Sequence, residues 1–169
     1  IHPTGNRLCV EVYKRSSAAW LEDQDFFSFS GIFRSVYLYA KTRCYLEDLW
    51  LDAGLAPDNR TGQLRLRLKF AETAVPNVHL FLSHPEDGDV FDSELPLKES
   101  GGYYWSRELL LPGIRKWDHD HPELYRAVLA MEDGSCVAYS IGFRRFEIRD
   151  KLMLLNGERL MLNGVNRHE

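Results

Sequence analysis

The chain has 169 residues, 44% of them hydrophobic and 27% charged, with a formal net charge of −4. That length holds one domain, or one domain with parts of its neighbours, and buries a core without disulfides or metals. It excludes a complete (β/α)8 barrel, which needs roughly 200–250 residues. A mildly acidic chain with no basic stripe points away from nucleic acid, and no apolar run approaches the ~20 residues of a membrane span. Three scattered cysteines, Cys9, Cys44 and Cys136, give neither a disulfide framework nor a CxxC metal pair, and fit a reduced, cytoplasmic setting. The chain starts at Ile1 with no initiator Met or signal-type segment and stops at Glu169 inside a patterned stretch. The expectation is a piece of a longer protein.

In chain order, a strand is predicted over Arg7–Tyr13, an aromatic-rich acidic loop over Arg15–Ser30, and further strands over Ile32–Ala40 and Tyr45–Leu51. Leu64, Leu66, Leu68 and Phe70 alternate with Arg65, Arg67 and Lys69. That period of two describes an antiparallel strand with one face buried and one in water. Val78, Leu80 and Leu82 repeat the pattern, Tyr103–Leu111 forms another run, and Tyr125, Ala127, Leu129 and Met131 repeat it again. Cys136–Ile148 reads as one long strand whose phase changes after Gly142-Phe143, as at a bulge or a crossing between packing surfaces. Lys151–Leu155 and Arg159–Leu162 complete the set.

Turn chemistry separates the runs at Pro57–Gly62, Glu86–Asp89, Ser100–Gly102, Glu132–Gly134 and Asn156-Gly157, the last two in the form that favours tight hairpins. No window carries an apolar stripe at helical spacing. Many short strands with regular turns describe an all-β protein, an immunoglobulin-like antiparallel β-sandwich flanked by strands from neighbouring domains.

Three constellations could carry chemistry. Trp20-Leu21-Glu22-Asp23-Gln24-Asp25-Phe26-Phe27 sets carboxylates among aromatic rings. Such a set suits a sugar or a hard cation, and equally a loop that tucks its rings inward and leaves its acids in water. Asp118-His119-Asp120-His121 has metal-ligating types, but neighbours in a turn rarely converge on one ion, so a surface turn is expected. Asn163–Glu169 is dense in hydrogen-bonding side chains after an apolar run, as where a site is built on strand ends or where a terminus frays. No nucleophile elbow or Gly-rich phosphate loop is present.

Together these segments resemble the β-galactosidases of glycoside hydrolase family 2. The residues that carry the resemblance are Trp20–Phe26, Ser30–Leu38, Trp117–Tyr125 with its His-Pro-Glu-Leu-Tyr, the Gly142-Phe143-Arg144 strand, Leu155-Asn156-Gly157 and Leu162–Glu169. The resemblance implies that residues 1–40 end a sugar-binding jelly roll, that 41–149 form an immunoglobulin-like domain, and that 150–169 are a linker hairpin and the first strand of a catalytic barrel. It implies that Asp25 contacts the galactosyl group and a sodium ion, and that His168 contacts the galactose. Phe26-Phe27 stand where the family often places a Trp. The implied parent is a retaining hydrolase of terminal β-D-galactosides that uses Mg and Na. Its two catalytic glutamates and its magnesium ligands lie on later barrel strands, so no catalytic residue is assigned here and this chain alone is expected to be inactive. β-Glucuronidase, β-mannosidase and a free-standing carbohydrate-binding module are the alternatives. Flanking strands without their partners are expected to expose apolar side chains and to favour self-association.

Overall fold

The computed structural model describes residues 4–21, 30–71 and 77–166. The chain divides into two compact units, Ile1–Ala40 with Asn163–Glu169, and Lys41–Leu162.

The second unit is the predicted sandwich. One sheet runs in the order β1 (Leu46–Leu55), β2 (Gly62–Phe70), β6 (Tyr103–Ser106), β5 (Leu97–Ser100), with β7 (Leu109–Leu111) also pairing with β2. The other runs β4 (Gly88–Leu95), β3 (Val78–His84), β8 (Tyr125–Met131), β9 (Cys136–Ile141). All pairings in both sheets are antiparallel. The alternation read in the sequence is the alternation of burial: Leu64, Leu66 and Leu68 of β2 are fully buried and join Val78, Leu80, Leu82, Tyr125, Ala127 and Leu129 in one core. Each such Leu removed from water contributes roughly 1.5–3 kcal/mol.

The long strand expected over Cys136–Ile148 is two strands. β9 ends at Ile141, and β10 (Phe146–Arg149) pairs with β11 (Leu152–Leu155), which pairs in turn with β12 (Glu158–Arg159), in a separate three-stranded sheet. The phase change after Phe143 is therefore a crossing. Gly142 passes so close to Trp117 that a Cβ there would lie 2.7 Å from the indole Cδ1. The next side chain, Phe143, is fully buried and meets Tyr125 edge to face at 5.2 Å. Beyond it, Phe146 and Ile148 are exposed. The run expected over Tyr103–Leu111 likewise divides into β6 and β7, both on β2. The compact unit extends past residue 149 to Leu162 and so includes the β10–β12 sheet.

In the first unit, α1 (Ser17–Leu21) occupies part of the stretch read as loop. The strands expected over Arg7–Tyr13 and Ile32–Ala40 do not form. Neither segment has a ladder partner among the described residues, and an isolated β segment is not stable by itself. Leu8, Val10, Ile32, Phe33, Val36 and Leu38 are exposed.

Candidate functional site

Asp25 and His168, the two residues expected to touch sugar, lie outside the described residues, as do Glu22, Asp23, Phe26 and Phe27. The described segments that lead into them, Ser17–Leu21 and Asn163–Asn166, belong to the same compact unit.

What the sandwich contributes is the anchoring of the chain just before Asn163. The Leu155–Glu158 hairpin has a two-residue loop in which Asn156 (φ 55°) and Gly157 (φ 87°) are both left-handed, the type I′ geometry that Asn-Gly favours. Asn156 is nevertheless buried, and every polar group it has is used. Its N–H donates to the Arg145 carbonyl at 2.8 Å, and its Oδ1 accepts from the Arg145 N–H at 2.9 Å. Its Nδ2 donates to the Trp117 carbonyl at 3.0 Å, and its carbonyl accepts from Asn59 Nδ2 at 3.0 Å. The Arg145 guanidinium reaches the carbonyls of Leu55 and Ala56 and the Asn59 side chain. Trp117 N–H donates to the Phe143 carbonyl at 2.8 Å, and Ile114 N–H to the Arg60 carbonyl at 2.8 Å. One end of the sandwich is thus a satisfied polar knot that fixes where the hairpin leaves it.

Asp118-His119-Asp120-His121 is a turn. Asp118 Oδ1 accepts from the N–H groups of Asp120 (3.1 Å) and His121 (2.7 Å), and Trp117 bridges to Pro122. Burial raises the Asp118 carboxyl, but these bonds outweigh it and hold the group below its ordinary value. With Lys116, Leu155, Asn156, Glu158 and Arg159 the turn lines a cavity of about 300 Å³. Among the described residues no three His, Cys, Asp or Glu side chains are placed to share a metal ion.

His84-Pro85-Glu86 and His121-Pro122-Glu123 meet in space. His84 is buried against the Tyr125 ring at 4.7 Å, with Nε2 3.0 Å from the Glu123 carboxylate. The Glu86 N–H donates to His84 Nδ1 at 3.3 Å, which makes Nδ1 the acceptor and leaves Nε2–H to donate to Glu123. Arg115 closes the group with a two-pronged pair to Asp87 at 2.8 and 3.0 Å. The Arg115 hydrogen bonds hold the Asp87 carboxyl below its ordinary value. The group is a fastening between the end of β3 and the Pro122 turn.

Residues 1–42 match the family model for the glycosyl hydrolases family 2 sugar-binding domain. The "Beta-galactosidase large subunit" of Latilactobacillus sakei is 44% identical over 98% of this chain and 27% of its own length. The "Beta-galactosidase" of Clostridium acetobutylicum is 39% identical over 97% of this chain and 18% of its own. The chain belongs to glycoside hydrolase family 2. It spans about a quarter or less of the length of these relatives. Among solved structures, the Parabacteroides merdae β-glucuronidase superposes with a TM-score of 0.62 at 25% identity, over 75% of this chain and 17% of its own. Bacteroides uniformis β-glucuronidase 3 superposes at 0.58 and 24% identity, over 75% and 16%, and shows the fold. The family 2 resemblance read from the motifs is thus a relationship across nearly the whole chain, and its all-β fold is shared with the matched part of these solved structures.

Proposed function

We propose that this chain is the segment of a β-galactosidase that joins the sugar-binding domain to the catalytic barrel and delivers one sugar-contacting side chain from each flank. The observation that carries this reading is the 44% identity to a β-galactosidase large subunit over 98% of the chain. On this reading residues 1–40 end the jelly roll, 41–149 form the spacer and 150–169 enter the barrel. The substrate is a terminal β-D-galactoside. Asp25 accepts from galactosyl hydroxyls and offers a hard oxygen to a sodium ion, the ligand type such cations take. His168 hydrogen-bonds the same sugar. No residue here is assigned to magnesium.

The protein that carries this segment is tested on chromogenic β-galactoside, β-glucuronide and β-mannoside. The galactoside is turned over fastest, and Asp25→Asn lowers its kcat/KM by about tenfold or more, at least ~1.4 kcal/mol of transition-state stabilisation. Preference for the glucuronide, the activity named for the solved neighbours, overturns the reading. The 169-residue chain alone turns over none of them, because a retaining glycosidase needs two carboxyl groups about 5–5.5 Å apart and the family draws both from barrel strands that its motifs place elsewhere. Cytoplasmic action belongs to the same proposal; among the described residues no helix is long and apolar enough to cross a membrane.

Self-association of the isolated chain is part of the reading. Leu8, Val10, Ile32, Phe33, Val36 and Leu38 are exposed. Surfaces of this kind pair with another copy when their partners are missing. Sedimentation of the 169-residue chain gives a mass above the monomer that falls with dilution; a monomer at all concentrations overturns this part.

A further inference from the structure

The outer face of the β1–β2–β6–β5 sheet carries a cross-strand row that alternates ring and cation. Trp50 pairs in register with Arg67, Arg67 with Trp105, and Trp105 with Lys98. The Arg67 guanidinium lies 4.7 Å from the Tyr103 ring centre and 5.4 Å from that of Trp50. Trp50 and Trp105 meet edge to face at 6.3 Å.

The cations of this face divide into two sets. Arg67 pairs with Asp48 at 3.2 Å and Lys69 with Glu47 at 2.7 Å, so the β1 side is neutralised. Arg65 and Lys98 have no ion pair among the described residues. Arg65 stands opposite Asp52 in the ladder, yet its guanidinium turns over the Trp105 ring, 4.8 Å from the centre. Those two cations, with Ser100, Gly101, Tyr103 and Trp105, line an open groove of about 530 Å³.

We propose that this groove binds a carboxylated sugar, with Arg65 and Lys98 on its carboxylate and Trp105 and Tyr103 against its C–H face. Two cations held by no carboxylate among the described residues supply charge for one anionic group. Half-buried aromatic rings beside them supply an apolar wall with little entropy to lose on binding. Ser100 and the backbone at Gly101 leave hydrogen-bonding groups at the rim for hydroxyls. The site lies on the sandwich, apart from Asp25 and His168 in sequence and in compact unit, so it adds a ligand to the proposed function without depending on it. A single strand of nucleic acid would also meet rings and cations, but the net charge of −4 opposes a polyphosphate.

Oligogalacturonate is titrated into the 169-residue chain while tryptophan fluorescence and heat are followed, beside neutral galacto-oligosaccharide, acetate and oligothymidylate. Saturable binding of the oligogalacturonate is expected, weakened by raised salt. Arg65→Ala and Lys98→Ala, both at exposed positions that leave the core untouched, each weaken it about tenfold. Trp105→Phe keeps a ring and weakens it less than Trp105→Leu. Equal binding of the neutral sugar, binding no tighter than acetate, tighter binding of oligothymidylate, or binding unchanged in Arg65→Ala and Lys98→Ala each overturns the proposal.

Discussion

Asn156 and Arg145 hold each other through their backbones and through one side chain. The Asn156 N–H donates to the Arg145 carbonyl at 2.8 Å, and the Arg145 N–H donates to Asn156 Oδ1 at 2.9 Å. The residues are 11 apart and on opposite sides of the β10–β11 hairpin, so the exchange closes the three-stranded sheet on itself. Because Asn156 also donates to the Trp117 carbonyl, the closed sheet is tied to the sandwich.

Removing that side chain orphans the half-buried Arg145 N–H and Trp117 carbonyl together. Asn156→Ala is expected to lose about 2–4 kcal/mol, measured by urea unfolding of the 169-residue chain. Asn156→Asp keeps the acceptor for the Arg145 N–H but turns an oxygen toward the Trp117 carbonyl. It is therefore destabilising as well, although its shape is unchanged. An Asp variant as stable as the parent would show that the Trp117 bond contributes nothing.

A second prediction concerns the close approach at Gly142. An added Cβ would meet Trp117 Cδ1, Cγ and Cβ at 2.7, 2.8 and 2.9 Å. Gly142→Ala must push the indole or the strand aside and is expected to cost about 1–3 kcal/mol. In the Trp117→Ala background the penalty shrinks, because Cγ and Cδ1 are gone, but it does not vanish, because Cβ of residue 117 remains. Equal penalties in both backgrounds would place the clash elsewhere.

The third prediction gains stability. Asp150 (φ 51°) and Lys151 (φ 64°) are both left-handed and form the two-residue loop between Arg149 and Leu152. A lysine in that conformation costs roughly 1–2 kcal/mol that a glycine avoids. Lys151→Gly, which turns the loop into Asp-Gly, should stabilise the fold by about 1 kcal/mol, read as a raised urea midpoint, since the greater freedom of the unfolded glycine offsets part of the gain. A fall in stability would mean that the Lys151 side chain has a role the strain conceals.

These residues also mark what the sequence made legible. The central strands β2, β3 and β8 announce themselves because each has one face in the core, and period two in polarity is period two in burial. The edge strands β4 and β5 do not, because most of their side chains are in water whichever way they point. The Asn156-Gly157 turn is readable from its residues, whereas the Asp150-Lys151 turn lacks the glycine that marks such loops. Of the candidate sites, the basic face of Leu64–Phe70 is visible in one strand. Its aromatic partners Trp50 and Trp105 come from two others, and only the register brings them together. The family motifs around Asp25 and His168 are legible as motifs, and nothing in strand periodicity points to them.

The last prediction is a pH dependence at the other side of the polar knot. The Asp58 carboxylate accepts from the Thr61 hydroxyl at 2.7 Å and from the N–H groups of Arg60 (3.0 Å) and Thr61 (2.9 Å). These bonds favour the ionised form, the Thr61 hydroxyl most, and pull the group from 3.8 down to about 2. A carboxyl whose folded value lies below its unfolded value stabilises the fold fully above the unfolded value, and loses that contribution as the pH falls through the folded one. The Asp58 contribution is therefore complete above about pH 4 and fades toward pH 2. Asp58→Ala is expected to be less stable than the parent at neutral pH, with the gap closing over that window. Asp58 supports the turn that presents Asn59 to Asn156 and Arg145, so acid should loosen this end of the sandwich before the core. Hydrogen exchange at the Arg60, Thr61 and Ile114 amides across the same pH range, corrected for intrinsic rates, tests it: protection there should fall while that of Leu66 and Leu129 holds. Uniform loss of protection would mean that the turn and the core open as one.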